Sequence, residues 1–214
     1  DIDITTNLYI SNLQYILINL LEAPLLGFFL SFFIKYIEDP TSQAYVFRQN
    51  ENIPSYIFMG VIVAIFIGLT VSAEEIFRDK KILRREMFLN LSRHSYLLSK
   101  VFILFVLSSI QALLFVLIGN TVLEIKGMLL PYWLMLFSIF CLSNVVGLNI
   151  SSAFNSAVTI YIIIPLLVIP QLILGGALFS YEKINKMAGG GYDVPFLAEC
   201  MPARWAYEGL MVYQ

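Results

Sequence analysis

Two adjacent glutamates, Glu74 and Glu75, are the side chains whose type and spacing most suggest catalysis, since they follow a long apolar stretch. Intramembrane proteases of the CAAX type use such a pair, with an arginine four residues after the second glutamate and two histidines further on. Here Asp79 stands at the arginine position, and His94 is the one histidine of the chain. That catalytic set cannot be assembled, so we predict no catalytic residue in this chain.

The residue types that bind metals and phosphates are also poorly placed. We expect no zinc site, because the histidine, Cys141 and Cys200 fall in a polar loop, an apolar stretch and a polar segment. No Gly-x-x-x-x-Gly-Lys-Ser/Thr motif is present to hold ATP phosphates, and the glycines at 189–191 are not followed by lysine. No basic groove with interleaved aromatic residues appears either, so we expect no nucleic-acid partner.

Long runs without charge determine the fold class. Hydrophobic residues make up 59% of the 214 and charged residues only 13%, whereas soluble domains carry about 25% charged residues. From Gly127 to Tyr181, 55 consecutive residues contain no Asp, Glu, Lys or Arg. As a helix this run would extend roughly 80 Å, far beyond the hydrocarbon core of about 30 Å. The sequence therefore predicts an all-α, polytopic transmembrane bundle.

The apolar stretches divide into predicted spans at about 22–38, 54–73, 97–122, 129–149 and 157–179. A polar stripe before the first span favours an amphipathic helix at the membrane surface over 6–21, with one long tilted span as the alternative. Pro165 and Pro170 are expected to kink the fifth span. Residues 180–214 form a polar segment that contains no further span.

Positive charge is concentrated in one connection. Seven of the 13 Lys and Arg residues lie from Arg78 to Lys100. The pattern over 78–95 predicts an amphipathic helix. The positive-inside rule places the 78–96 loop and the N-terminus in the cytoplasm. Five spans leave the two termini on opposite sides, so we expect a piece of a longer polypeptide with a sixth span after Gln214.

Two segments resemble the ABC-2-type half-transporters of the ABCG/white and pleiotropic-drug-resistance group. One is Glu-Glu-Ile-Phe-Arg-Asp-Lys-Lys-Ile-Leu-Arg-Arg-Glu over 74–86, followed by Ser95-Tyr96 and Lys100. The other is Pro-Ala-Arg-Trp-Ala-Tyr-Glu-Gly-Leu over 202–210, which is similar to a pattern found outside the membrane before the family's sixth span. The chain departs from the family by a few extra residues between Glu75 and Glu86.

The resemblance implies roles for the two amphipathic helices. Residues 6–21 correspond to the family's connecting helix, and 78–95 to the coupling helix that rests on an ATP-binding cassette domain, fused or separate. The partner domain, not this chain, would bind ATP and Mg and hydrolyse the ATP. The residues implied in coupling are Glu75, Arg84, Arg85, Glu86 and Tyr96. Alternatively, the cations set topology and bind anionic lipid headgroups.

The same resemblance implies a homodimer or pseudo-dimer with a substrate path between two membrane domains. Residues implied to line that path are Gly60, Val63, Ile169, Leu172 and Leu178. The last belongs to a small-residue and leucine stretch, 175–178, that would close the outer end, although the family often has two leucines there. The segment 199–214 is expected as a re-entrant helix or as an ordinary surface helix.

We therefore expect a permease domain that moves an amphipathic or lipid-like substrate by alternating access. The alternative is a non-transporting membrane anchor or assembly protein that binds partners through its basic cytoplasmic loop. A channel is disfavoured because the spans offer no ring of charged side chains for ion selection. The apolar spans would suit a bacterial inner membrane.

Overall fold

The computed structural model describes residues 13–35, 50–77, 79, 93–154, 156–179 and 196–213. Within these ranges the chain is helical and contains no strand. The helices are α1 (Leu13–Ile34), α2 (Ile53–Ala73), α3 (Arg93–Leu123), α4 (Leu129–Ala153), α5 (Ala157–Leu174), α6 (Phe196–Glu199) and α7 (Pro202–Tyr213). Five of these described helices, α1 to α5, are long and apolar enough to cross a membrane. The prediction of an all-α polytopic bundle is confirmed.

Contacts between helix ends define two ends of the bundle. At one end Phe77, just after α2, contacts Ser151 near the end of α4, and this end also holds the start of α3; we call it the basic end. At the opposite end Lys35 pairs with Glu124 across 3.4 Å, and the Asn50 side chain donates to the carbonyl oxygen of Ile34. The chain therefore crosses the bundle once with each of the five long helices.

Helix α2 is the centre of the bundle. In its apolar stretch 78% of the residues are buried, against 17% to 33% in the other four long helices. It carries no charge between 52 and 73 and is apolar on every side, as a fully surrounded helix must be. Helix α5 lies at the periphery, where only Ile160 and Ile164 are buried. Any movement of α2 must therefore change its packing against the neighbouring helices.

Small side chains let α2 and α4 approach closely. A Cβ added to Gly68 would lie 2.7 Å from the Ser143 Cβ. A Cβ added to Gly147 would lie 1.9 Å from the Ser72 Oγ and 3.1 Å from the carbonyl oxygen of Leu69. Each helix thus presents two small residues four positions apart, the arrangement that brings membrane helices into backbone contact.

Buried amide side chains join α3 to its neighbours. The Asn144 Nδ2 of α4 donates to the Ser108 Oγ of α3 at 2.7 Å. The Gln111 Nε2 of α3 donates to the carbonyl oxygen of Asn19 in α1 at 2.8 Å. In a membrane such bonds hold helices together, because exposed amides have no water to bond.

Replacing Asn144 by leucine is expected to destabilise the bundle by about 1 kcal/mol, a typical loss for one interhelical hydrogen bond in a membrane. The loss stays small because the Ser108 hydroxyl can turn to a carbonyl of its own helix. Thermal unfolding of the purified protein measures the change. The matched control is Val145→Leu, an exposed neighbour on the same helix. Equal stability of the two variants would contradict the prediction.

Helix bounds differ from the sequence-based spans at several places, and α4, for example, ends at Ala153 rather than at 149. Helix α1 runs unbroken past the division that we placed between 21 and 22, and Pro24 lies inside it. The Gln111 Nε2 donates to the carbonyl oxygen of Asn19, five residues before that proline. Helix α5 ends at Leu174 rather than at 179, because Gly176 adopts a φ of 82°.

Another difference concerns the predicted coupling helix at 78–95. Its last three residues belong to the first turn of α3, which begins at Arg93. Residue 79 is also described and is helical. The remaining residues of 78–95 lie outside the described part of the chain, as do 6–12 of the predicted connecting helix.

Candidate functional site at the basic end

A group of buried charged residues joins the end of α2 to the start of α3. The Lys100 Nζ lies 2.8 Å from the Glu75 Oε2 and 2.8 Å from the Asp79 Oδ2. The Tyr96 hydroxyl donates to the same Asp79 oxygen at 3.0 Å. The side chains of Lys100 and Glu75 are 4% and 0% exposed. We call Glu75, Asp79, Tyr96 and Lys100 the Lys100 cluster.

Helical spacing positions all four side chains. Glu75 and Asp79 are four residues apart in a helical stretch that follows α2, so both carboxylates lie on one face. Tyr96 and Lys100 are four residues apart in the first turns of α3 and also share a face. Two short polar faces therefore meet at the basic end and bracket the connection between α2 and α3.

The cluster is suited to fixing the two helices together. Removing ions from water is costly, and a buried pair is stable only when close partners replace the lost hydration. Here the ammonium of Lys100 satisfies both carboxylates, and Tyr96 adds a hydrogen bond to Asp79. Pulling α2 away from α3 would leave these charges without partners in an apolar setting, so the helices resist separation at this point.

Residues just after α2 also reach α4 and α5. The backbone N–H of Phe77 donates to the Ser151 Oγ of α4 at 2.8 Å. The Tyr161 hydroxyl of α5 donates to the Glu74 Oε1. The short stretch 74–79 therefore contacts three helices beyond its own.

Helix α7 closes the opposite end. The Tyr207 ring packs edge-on against Phe58 of α2 with centroids 5.5 Å apart, and burial raises the pKa of the Tyr207 hydroxyl. The backbone N–H of Ala203 donates to the Gln171 Oε1 of α5 at 3.1 Å. One face of α7 thus packs on the ends of the long helices, and the opposite face is exposed.

The family model described as ABC-2 type transporter matches residues 3–214. This chain belongs to the ABC-2 type transporter family. No curated protein and no solved structure matches the sequence. The chain is thus the membrane domain, or permease component, of an ABC transporter and an integral membrane protein, and such domains work with ATP-binding cassette partners. The match does not single out the ABCG/white group, which stays a prediction.

Of the coupling residues predicted in this ABC-2 membrane domain, the structure brings two together. Glu75 and Tyr96 meet through Lys100 and Asp79. The other three, Arg84, Arg85 and Glu86, lie outside the described residues. Glu75 and Tyr96 lie on either side of these three positions in the sequence, so all five residues belong to one connection along the chain.

The residues predicted to line the substrate path do not form one surface within the single ABC-2 chain. Gly60 packs inside the bundle, where an added Cβ would lie 3.2 Å from the Phe115 ring. Val63 and Leu172 are partly buried against the core. Ile169 and Leu178, in contrast, are half exposed at the surface of the bundle.

Sequence reasoning left Asp79 and Lys100 out of the candidate site. A detectable signal was present: two acidic residues four apart at the end of one span, and a tyrosine and lysine four apart at the start of the next. The two members of each pair share one face of their own helix, so the two faces are complementary where the helices meet. In this ABC-2 domain they form the best-buried ionic contact of the described residues.

Proposed function

We propose that this ABC-2 membrane domain is the transmembrane half of an ATP-driven exporter that moves an amphipathic or lipid-like substrate by alternating access. It would work as a homodimer or pseudo-dimer with a fused or separate ATP-binding cassette domain, which binds ATP and Mg. The observation that carries the proposal is the Lys100 cluster. This cluster locks together both flanks of the basic connection on which the nucleotide-binding domain would act.

The cluster supports a lever mechanism. A push on residues between 79 and 93 reaches α2 through Glu75 and Asp79, and α3 through Tyr96 and Lys100. Because Lys100 joins the two faces, the helices would turn as one body and not slide past each other. Helix α2 is the most buried helix, so its rotation would repack α4 and α5 as well.

The proposed orientation follows the positive charge. The 78–96 loop and the N-terminus would be cytoplasmic, and α7 would lie on the other side of a bacterial inner membrane. The half-exposed Ile169 and Leu178 would face the second membrane domain. Gly60 is packed inside the bundle and Val63 is partly buried, so their part in the path requires that the helices around α2 repack during the cycle.

The decisive experiment measures ATP hydrolysis by the complex purified through a tag on the full-length parent protein. We expect Arg85→Ala and Glu86→Ala each to change hydrolysis at least about fivefold, a typical size for coupling between sites. Lys126→Ala is the matched control, because Lys126 is an exposed cation in the turn at the opposite end of the bundle.

The alternative function predicts a different result in the same experiment. A membrane anchor or assembly protein that binds partners through its basic loop would need no ATPase. Purification without any ATP-hydrolysing partner would favour the anchor. Turnover equal in Arg85→Ala, Glu86→Ala and Lys126→Ala would contradict the assigned role of the basic connection.

A further inference from the structure

A groove of about 230 Å³ lies at the basic end between the end of α2 and the start of α5. Its walls are Glu74, Phe77, Ala157, Ile160 and Tyr161. Four of these residues are apolar or aromatic, and one is a carboxylate. We propose that this groove holds the ammonium head group of a single-chain cationic amphiphile that the transporter carries, an inference that rests on the proposed export function.

Charge is the first argument for a cationic head group. The Tyr161 hydroxyl donates to one oxygen of Glu74, and no Lys, Arg or His of the described chain lies within ion-pair distance of this carboxylate. The adjacent Glu75 differs, since Lys100 neutralises it. A carboxylate among apolar walls attracts a cation more strongly than it would in water.

The aromatic walls are the second argument. Phe77 and Tyr161 both line the groove beside Glu74. Aromatic faces attract ammonium ions, and quaternary ammonium groups are commonly recognised by aromatic side chains together with a carboxylate or alone. The groove is therefore lined by a negative charge and by two aromatic side chains.

Size limits what the groove can hold. Sites for whole drug-sized ligands measure about 300–1,000 Å³, so a groove of about 230 Å³ suits a head group. The tail has a continuing surface: Val158, Ile162 and Leu166 are exposed at four-residue steps along α5. A single alkyl chain can follow that stripe into the membrane.

A bilayer phospholipid fits this groove less well than a free ammonium amphiphile. The phosphate of a zwitterionic lipid would lie close to its amine and hence near Glu74, where like charges repel. No cation among the described lining residues could offset that repulsion. We therefore assign the groove to an amphiphile whose head group carries positive charge only.

The test uses the full-length protein with its ATP-binding partner, purified in dodecyl maltoside, and radiolabelled dodecyltrimethylammonium as the probe. The neutral maltoside has the same tail and is present in excess, so retained probe reports the head group. We expect unlabelled dodecyltrimethylammonium to compete at least about tenfold better than dodecylphosphocholine. Glu74→Gln is expected to weaken probe binding about tenfold. Glu51→Gln, an exposed glutamate near the other end of α2, should leave binding unchanged.

Further variants keep the assignment testable if Glu74→Gln does not fold. Ala157→Leu fills the groove and is expected to lower binding, and Tyr161→Phe removes the hydroxyl that orients Glu74. Equal competition by the two head groups, or wild-type affinity in Ala157→Leu, would overturn the proposal. Binding of the probe is measured in the absence of ATP, and ATP hydrolysis is measured in a separate assay. Head-group-specific binding without stimulated hydrolysis would keep the site but overturn its role in transport.

Discussion

Lys100→Met is expected to cost about 3–5 kcal/mol of stability, the usual loss when one partner of a buried ion pair is removed. The side chain of Glu75 is 0% exposed, so its charge would remain buried without the ammonium 2.8 Å away. Asp79 would lose the same partner. Since folded proteins are stable by only about 5–15 kcal/mol, the variant should unfold at a markedly lower temperature or denaturant concentration than wild type.

A conservative variant separates charge from packing. Lys100→Arg keeps a cation at the position and is expected to lose much less stability than Lys100→Met. The triple variant Glu75→Gln, Asp79→Asn, Lys100→Met removes all three charges and should recover much of the loss, because no unpaired buried charge remains. If Lys100→Met lost less than about 1 kcal/mol, the cluster would not be the clamp that we describe.

The functional consequence follows from the same geometry. In variants that still fold, loss of Lys100 would let the end of α2 move independently of α3. ATP hydrolysis should then continue without its dependence on the basic connection, so that Arg85→Ala no longer changes the rate. Sensitivity to Arg85→Ala that persisted without Lys100 would show that coupling bypasses the cluster.

The membrane helices were predictable because the signal for them is local. The charge-free run before Glu74 placed a span at 54–73, and the structure has a helix at Ile53–Ala73. The end of α5 was not predictable from hydropathy, since residues up to 179 are still apolar. Gly176 ends the helix through its backbone conformation, which hydropathy does not measure.

The candidate site was only half predictable for a different reason. The family resemblance pointed to Glu75 and Tyr96 and led us to expect a nearby cation as the partner of Glu75, but it did not say which one. The pairing of Glu75 with Lys100 spans 25 positions and depends on how α2 and α3 meet. The groove beside Glu74 depends on α5, which lies 87 positions away at Tyr161. Contacts of this kind follow from helix packing, and a pattern within one helix cannot specify them.

The close approach of α2 and α4 was also missed, because small residues are common in membrane helices and gain meaning only when they face each other. Gly68 and Ser72 on one helix meet Ser143 and Gly147 on the other. The spacing of four within each pair was visible, but the facing of the pairs was not. This contact holds the most buried helix in place and leads directly to the second large prediction.

Gly147→Leu is expected to destabilise the bundle by at least about 3 kcal/mol, the upper part of the usual range for overpacking. Its Cβ alone would lie 1.9 Å from the Ser72 Oγ, and three further carbons would follow. The Ser72 hydroxyl can rotate, but the carbonyl oxygen of Leu69, 3.1 Å from that Cβ, belongs to the helix backbone. The helices must therefore separate, which thermal or denaturant unfolding of the purified protein would detect.

Val146→Leu is the matched control, since it enlarges the partly exposed neighbour of Gly147 and should change stability by no more than about 0.5 kcal/mol. Equal stability of Gly147→Leu and Val146→Leu would contradict close packing at this point. Gly147→Ala should show an intermediate loss, and combining it with Ser72→Gly should restore part of that loss by removing the nearer obstacle.

The effect should also reach the basic end. Ser151 lies one helical turn beyond Gly147 on the same face of α4, and its Oγ accepts from the backbone N–H of Phe77. Separation of α2 from α4 would break that bond and loosen the stretch 74–79 that carries Glu75. Gly147→Leu should therefore weaken the response of ATP hydrolysis to Arg85→Ala. A destabilised variant with an unchanged response would show that the Lys100 cluster works independently of α4.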